Sequence, residues 1–101
     1  MVKVKLTKIA ERADAECPNN IPINDYRIGY VPDIFFKPIV GIRYGLKYVI
    51  EINGRAVPFS HWFITSFVVE IIDDTTFKTI NSIYKIEYLE YDCNPPTAIA
   101  N

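Results

Sequence analysis

Few side chains in this 101-residue chain are of a type that leads a reaction: one histidine, His61, and two cysteines, Cys17 and Cys93. A serine or cysteine nucleophile needs a base beside it. His61 stands between Ser60 and Trp62 with no Asp or Glu near it in sequence. Two Cys and one His do not make a zinc site. Asp73-Asp74 is the obvious carboxylate pair, but in a tight turn such residues bond the backbone. The glycines (Gly29, Gly41, Gly45 and Gly54) are too scattered for a phosphate-binding loop. The expectation is a protein that is not an enzyme and takes no cofactor or metal.

What remains is chemistry of recognition. The segment Phe59-Ser60-His61-Trp62-Phe63 is the most aromatic and holds the only Trp and the only His. It reads either as an aromatic binding platform or as a strand in which Trp62 caps the core and His61 is solvated. Ile34-Phe35-Phe36 lies between Pro32 and Pro38, as a short buried strand or an exposed patch that marks a partner site. The pairs Thr65-Ser66 and Asn81-Ser82, with Tyr84 and Arg12 or Arg27, place hydroxyls, an amide and a cation where a small anionic or nucleotide-like ligand would suit them. The alternative is that Ser and Asn bond their own backbone at bulges and strand starts.

These residues need a scaffold, and composition favours strands. The apolar half of the chain is rich in Ile, Val, Tyr and Phe, with three Leu and one Met, types that fit a pleated, half-buried surface. One domain is the natural count. A chain of this size buries roughly 60–70% of its unfolded surface, enough for one core without a metal or a disulfide. Net charge is −1, with nine Lys/Arg against six Asp/Glu over residues 1–55 and two against six over 56–101. That balance argues against nucleic acid, whose binding depends on cations; Lys3, Lys5, Lys8, Arg43 and Lys47 are the residues such binding would use.

Taken in order, Met1–Ile9 alternates Val2, Val4 and Leu6 with lysines, a half-buried strand with Lys outward. Glu11–Asn24 is a long loop, broken by Pro18 and Pro22. Tyr26, Ile28 and Tyr30 alternate as a short strand. Over Gly41–Ile52, residues Ile42, Tyr44, Leu46, Tyr48, Ile50 and Ile52 share one face of a strand of roughly 40 Å at about 3.3 Å per residue, with Gly45 as a bend or bulge. Asn53-Gly54 predicts a type I′ hairpin pairing Tyr48–Ile52 with Arg55–Phe59. Ser66–Ile72 is apolar on both faces. Asp73–Thr76 is a side-chain-capped turn, Phe77-Lys78-Thr79 starts the return, and Asn81-Ser82 is a bulge or turn. Tyr84, Ile86 and Tyr88 then line one face. Residues 1–91 form the domain, and 92–101 a flexible tail. Six or seven strands of this kind favour closure into a small antiparallel barrel or roll.

The pattern Thr65-Ser66-x-Val68-x-x-Ile71 followed by Phe77-x-Thr79-x-Asn81-Ser82-x-Tyr84 resembles small SH3-like β-barrel proteins of bacteria and their phages, over about half the chain. Arg12-Ala13-Asp14, Pro18-Asn19-Asn20-Ile21 and Pro38-x-Val40-Gly41 are similar in kind, and Lys47–Trp62 departs from the pattern. The resemblance implies a fold and a mobile-element origin, and carries no catalytic residues. The first expectation is therefore a non-enzymatic interaction module, acting on a host protein or self-associating, through Phe35, Phe36, Tyr48, Phe59, His61 and Trp62. The second is a binder of a nucleotide-derived ligand through Arg12, Arg27, Ser66, Asn81, Ser82 and Tyr84. No apolar leader or membrane span is legible, so a cytoplasmic protein with reduced thiols is expected.

Overall fold

The computed structural model describes residues 1–11, 21–58 and 61–90. The expected tail at 92–101, both cysteines and most of the loop after Glu11 lie outside the described residues. Within them the chain is all-β, with β1 (Val2–Glu11), β2 (Tyr26–Val31), a 3₁₀ turn (Asp33–Phe35), β3 (Arg43–Leu46), β4 (Tyr48–Ile52), β5 (Arg55–Ala56), β6 (Phe63–Asp73), β7 (Thr76–Thr79) and β8 (Ser82–Glu90). Every pairing is antiparallel, in the order β3-β6-β7-β8-β1-β2-β4-β5. The sheet is open, with β3 and β5 at its edges, and has eight strands where six or seven in a barrel or roll were expected.

The extra strand has a simple cause. The expected twelve-residue strand breaks at Lys47 into β3 and β4. Tyr44 and Leu46 are buried, but after Lys47 the buried residue is Val49 and Tyr48 faces out. A one-residue slip sends the side chains that follow to the other face, until a second register shift at Ile50 brings Ile52 back against the core, so the single inward row from Ile42 to Ile52 is broken. The slip also changes partners: β3 pairs with β6, whereas β4 pairs with β2. Gly45 meets its expectation, since the β3–β6 register shifts between Arg43 and Gly45. The Lys47 amide itself donates to the Tyr30 carbonyl at 2.8 Å.

Asn53 and Gly54 both have positive φ (51° and 87°) and Ile52 faces Arg55, the two-residue hairpin expected of Asn-Gly. Its second arm is shorter than predicted, only Arg55–Ala56; Pro58 cannot donate to a ladder. The tip docks on β2: the Asn53 side-chain carbonyl accepts from the Tyr26 amide at 2.8 Å, and the Tyr26 hydroxyl donates to Glu51 at 2.8 Å.

Strand β1 alternates as read, and carries one surprise. Val2, Val4, Leu6 and then Lys8 occupy the buried face, and Lys8 is only 1% exposed. Its ammonium donates to the Glu11 carboxylate and to the Ile21 carbonyl at 2.6 Å. Lys3 and Lys5 do face out, within 3.6 Å of Glu90 and 3.9 Å of Glu87. The core is completed by Val31, Tyr44, Leu46, Val49, Val68, Phe77, Tyr84 and Ile86. Phe77 is its aromatic centre, 5.2 Å from the Tyr44 ring and 5.6 Å from the Tyr84 ring. In β6, expected to be apolar and buried on both faces, only Thr65 and Val68 are buried, while Val69, Ile71 and Ile72 are exposed.

Two glycines give a direct test of this topology. A Cβ on Gly29 would lie 2.3 Å from the Tyr48 carbonyl oxygen, whereas one on Gly45 would meet only Ile64 Cγ1 at 3.4 Å and the Phe63 oxygen at 3.7 Å. Gly29→Ala is expected to cost about 1–3 kcal/mol because backbone must move. Gly45→Ala is expected to stay within about 0.5 kcal/mol of the parent. Urea unfolding of the two variants checks this; equal stabilities would mean that β2 and β4 are not so closely apposed.

Candidate functional site

The break at Lys47 leaves a groove on the surface. Leu46, Lys47 and Tyr48 pass along it, Arg43 and Gly45 come from β3, Ile42 precedes them, and Ile64 comes from β6. Pro32 and Phe35 enter from the 3₁₀ turn and Trp62 from the residue before β6, around a volume of about 570 Å³. The lining is almost wholly apolar apart from Arg43 and Lys47. Trp62, 67% exposed, is the most exposed of its aromatic side chains.

Three of the six residues expected at a partner surface meet here: Phe35, Tyr48 and Trp62. Phe36 does not. It is half-buried, and its ring meets Tyr88 edge-on at 5.9 Å. The segment Ile34-Phe35-Phe36 is thus neither a buried strand nor one exposed patch. The 3₁₀ turn sends Ile34 and Phe35 outward and Phe36 inward. His61 is exposed but does not line the groove; its carbonyl accepts from the Val49 amide at 3.0 Å. His61 and Trp62 are not in a strand and both are exposed, so Trp62 does not cap the core. Phe59 lies outside the described residues.

The alternative set is split as well. Ser66, Asn81 and Tyr84 line a second pocket of about 270 Å³ with Ile21, Arg43, Phe63, Ile64 and Thr65. The Ser66 hydroxyl is shut off from solvent and has no hydrogen-bond partner among the described residues. Ser82 is fully buried and belongs to a turn in which Thr79 Oγ1 accepts from the Ser82 amide at 3.0 Å and the Asn81 amide at 3.3 Å. Arg27 pairs with Asp25 at 2.8 Å and lies 4.5 Å over the Phe63 ring. Arg12 is outside the described residues. Asp73 accepts from the Thr75 amide at 2.9 Å, and that bond holds its carboxyl below the usual range, as the capped-turn reading requires.

Reading the sequence alone missed Pro32, Ile42, Gly45, Leu46 and Ile64 as lining residues, and assigned Arg43 and Lys47 to a different use. The five cations of the nucleic-acid reading do not form one surface: Lys8 is buried, and Lys3 and Lys5 stand opposite carboxylates. The available signal was Gly45 between Arg43 and Lys47, on the face opposite the bulky row, which leaves a bare spot on a strand. Among the described residues no group of three or more His, Cys, Asp or Glu is placed to hold a metal, and no helix is long and apolar enough to cross a membrane.

Tyr44 braces the turn that carries Phe35. Its hydroxyl donates to the Phe36 carbonyl at 2.8 Å, and burial pushes its phenol far above the ordinary range, with Tyr88 adding to the effect. The folded protein therefore keeps a proton that the unfolded chain releases near pH 10, so this stability is present below about pH 10 and is lost as pH rises above it. Tyr44→Phe is expected to lose about 1 kcal/mol at neutral pH and to show a shallower decline between about pH 9 and pH 11. Burial also raises the Tyr88 phenol, so a residual slope remains. Denaturant titrations across that range check this; a slope unchanged by the substitution would remove Tyr44 as its source.

Comparison with protein families, with curated proteins and with solved structures gives no match for this chain, so its groove and pocket are read on their own geometry.

Proposed function

We propose that the chain is a non-enzymatic interaction module that engages a protein partner through the groove at the β3–β4 break. One observation carries this reading: Trp62, Tyr48 and Phe35 stand exposed around a single apolar concavity. Trp, Tyr and Arg are the side chains that most often dominate binding energy, and Trp62, Tyr48 and Arg43 are all present. An apolar concavity with a few polar groups at its border is what a binding site needs. The SH3-like roll proposed for the scaffold finds support in the bent segment 43–52, which shares its two halves between β6 and β2.

Because Trp62 and Tyr48 are exposed, their removal should spare the fold. Trp62→Ala and Tyr48→Ala are expected to weaken partner capture roughly 30-fold, the loss of about 2 kcal/mol typical of an anchor residue. Each should leave the unfolding midpoint nearly unchanged, as surface substitutions do. Affinity capture by the parent chain and both variants, alongside light scattering, checks the reading. A strict monomer that captures nothing, or captures equally well without Trp62, would count against it.

A second reading rests on Ser66, Asn81 and Tyr84, which line the smaller pocket, and on the buried Ser66 hydroxyl, which has no hydrogen-bond partner among the described residues. A ligand whose binding opened access to that hydroxyl would supply the missing hydrogen bond, which is costly to leave unmade. A small anion of nucleotide-like chemistry should then raise the melting temperature of the parent and not of Ser66→Ala. A screen of cyclic and linear nucleotides in which none shifts the parent would end this reading.

A further inference from the structure

The charges bordering the larger groove are of one sign. Among the described residues, Arg43 and Lys47 are the only ionised side chains that line it, and no carboxylate does. Lys3 stands opposite Glu90, Lys5 opposite Glu87, Lys78 opposite Glu70, and Arg27 opposite Asp25, so these cations are offset where they stand. Neither Arg43 nor Lys47 has a carboxylate within ion-pair distance among the described residues. Asp33, on the same 3₁₀ turn as Phe35, is engaged by the Met1 ammonium at 2.7 Å. Arg43 is held in place by the Phe67 ring, 4.9 Å beneath its guanidinium. The concavity thus joins an apolar floor, left bare where Gly45 has no side chain, to two uncompensated cations.

Resting on the reading that the groove is a partner site, we infer that its occupant is an acidic, apolar peptide segment of a partner protein. A bulky apolar side chain enters between Trp62, Tyr48 and Phe35, and Asp or Glu beside it faces Arg43 and Lys47. Complementary charge selects partners and suppresses wrong ones, because like charges brought together are costly. A basic segment would meet two cations with no anion among the described lining to offset them. A small molecule is likewise oriented by a few placed polar groups; here those of the described lining are two cations at the border, which favour an occupant carrying an acidic group beside an apolar one. An extended peptide spreads its contacts along the surface and needs fewer of them at any one point.

The test selects a random-peptide display library on the full chain, then measures the enriched peptides by fluorescence anisotropy on four proteins. These are the parent, the double variant Arg43→Glu/Lys47→Glu, Gly45→Val and Trp62→Ala. The expected result is enrichment of Asp or Glu beside Leu, Ile, Phe or Trp. Binding should weaken at least tenfold on charge reversal and on filling the floor with Gly45→Val, and should weaken with added salt. Charge reversal should also shift the selection itself toward basic peptides. Peptides that need Trp62 and an open Gly45 but show no acidic preference would overturn this inference and leave the groove reading standing. If no enriched peptide depends on Trp62 or Gly45, both fall. Displacement of the best peptide by dodecanoate at a lower concentration than by the unlabelled peptide would assign the site to a fatty acid and overturn the inference. Circular dichroism of each variant confirms that it is folded before its affinity is read.

Discussion

A β-strand has two edges and two faces, and a chain that must satisfy different neighbours along its length has to change both at one point. Residues 43–52 do so at Lys47. Before it the backbone is bonded to β6 and sends Tyr44 and Leu46 inward; after it the backbone is bonded to β2 and sends Val49 inward. The rest of the molecule depends on this exchange. It links edge strand β3 to β4, the penultimate strand at the other side of the order, through one residue, it requires Gly29 so that Tyr48 can come close, and it opens the groove beside the discontinuity. A continuous strand with one inward row would have left neither the concavity nor an outward-facing Tyr48.

The distribution of charge follows from the same sheet. Pairs such as Lys5 with Glu87 and Lys78 with Glu70 face each other across ladders, where each contributes little in water. Their effect is on surface character: each such pair is locally neutral, whereas the groove is bordered by Arg43 and Lys47 with no carboxylate among its described lining. Lys8 is a different case. Burying an ammonium is tolerated only when it is paired and hydrogen-bonded, and here the Glu11 carboxylate and the Ile21 carbonyl do this. Those contacts tie the end of β1 to Ile21.

Local rules were legible where local rules decide. The Asn53-Gly54 hairpin, the alternation of β1 and the Asp73 cap all follow from residues within a few positions of one another. The site was legible only in part, because it is made by a register slip. Nothing around Lys47 announces a change of phase: Ile42, Tyr44, Leu46, Tyr48, Ile50 and Ile52 form an unbroken apolar row, and only the opposing demands of β2 and β6 interrupt it. Lys8 shows the reverse. Its even position placed it on the buried face, but its charge argued for solvent, and the pattern prevailed once Glu11 supplied a partner. Phe35 and Phe36, adjacent and identical, part company because a 3₁₀ turn separates neighbouring side chains around its axis in a way that residue type cannot reveal. Val69, Ile71 and Ile72 are as apolar as the core, yet among the described residues no strand pairs with the outer edge of β6 beyond Val68.

The pairing of β1 with β8 places the first and last described strands side by side in the middle of the sheet. Contacts between residues so far apart in the chain require closing a large loop before they return any stabilisation, and folds dominated by such contacts assemble slowly. During synthesis β1 would leave the ribosome long before its central neighbour existed, with Val2, Val4 and Leu6 uncovered on one face. Assembly of the sheet must therefore await the emergence of β8. The flanking hairpins β4–β5 and β6–β7, whose partners are local, are the units able to form ahead of it.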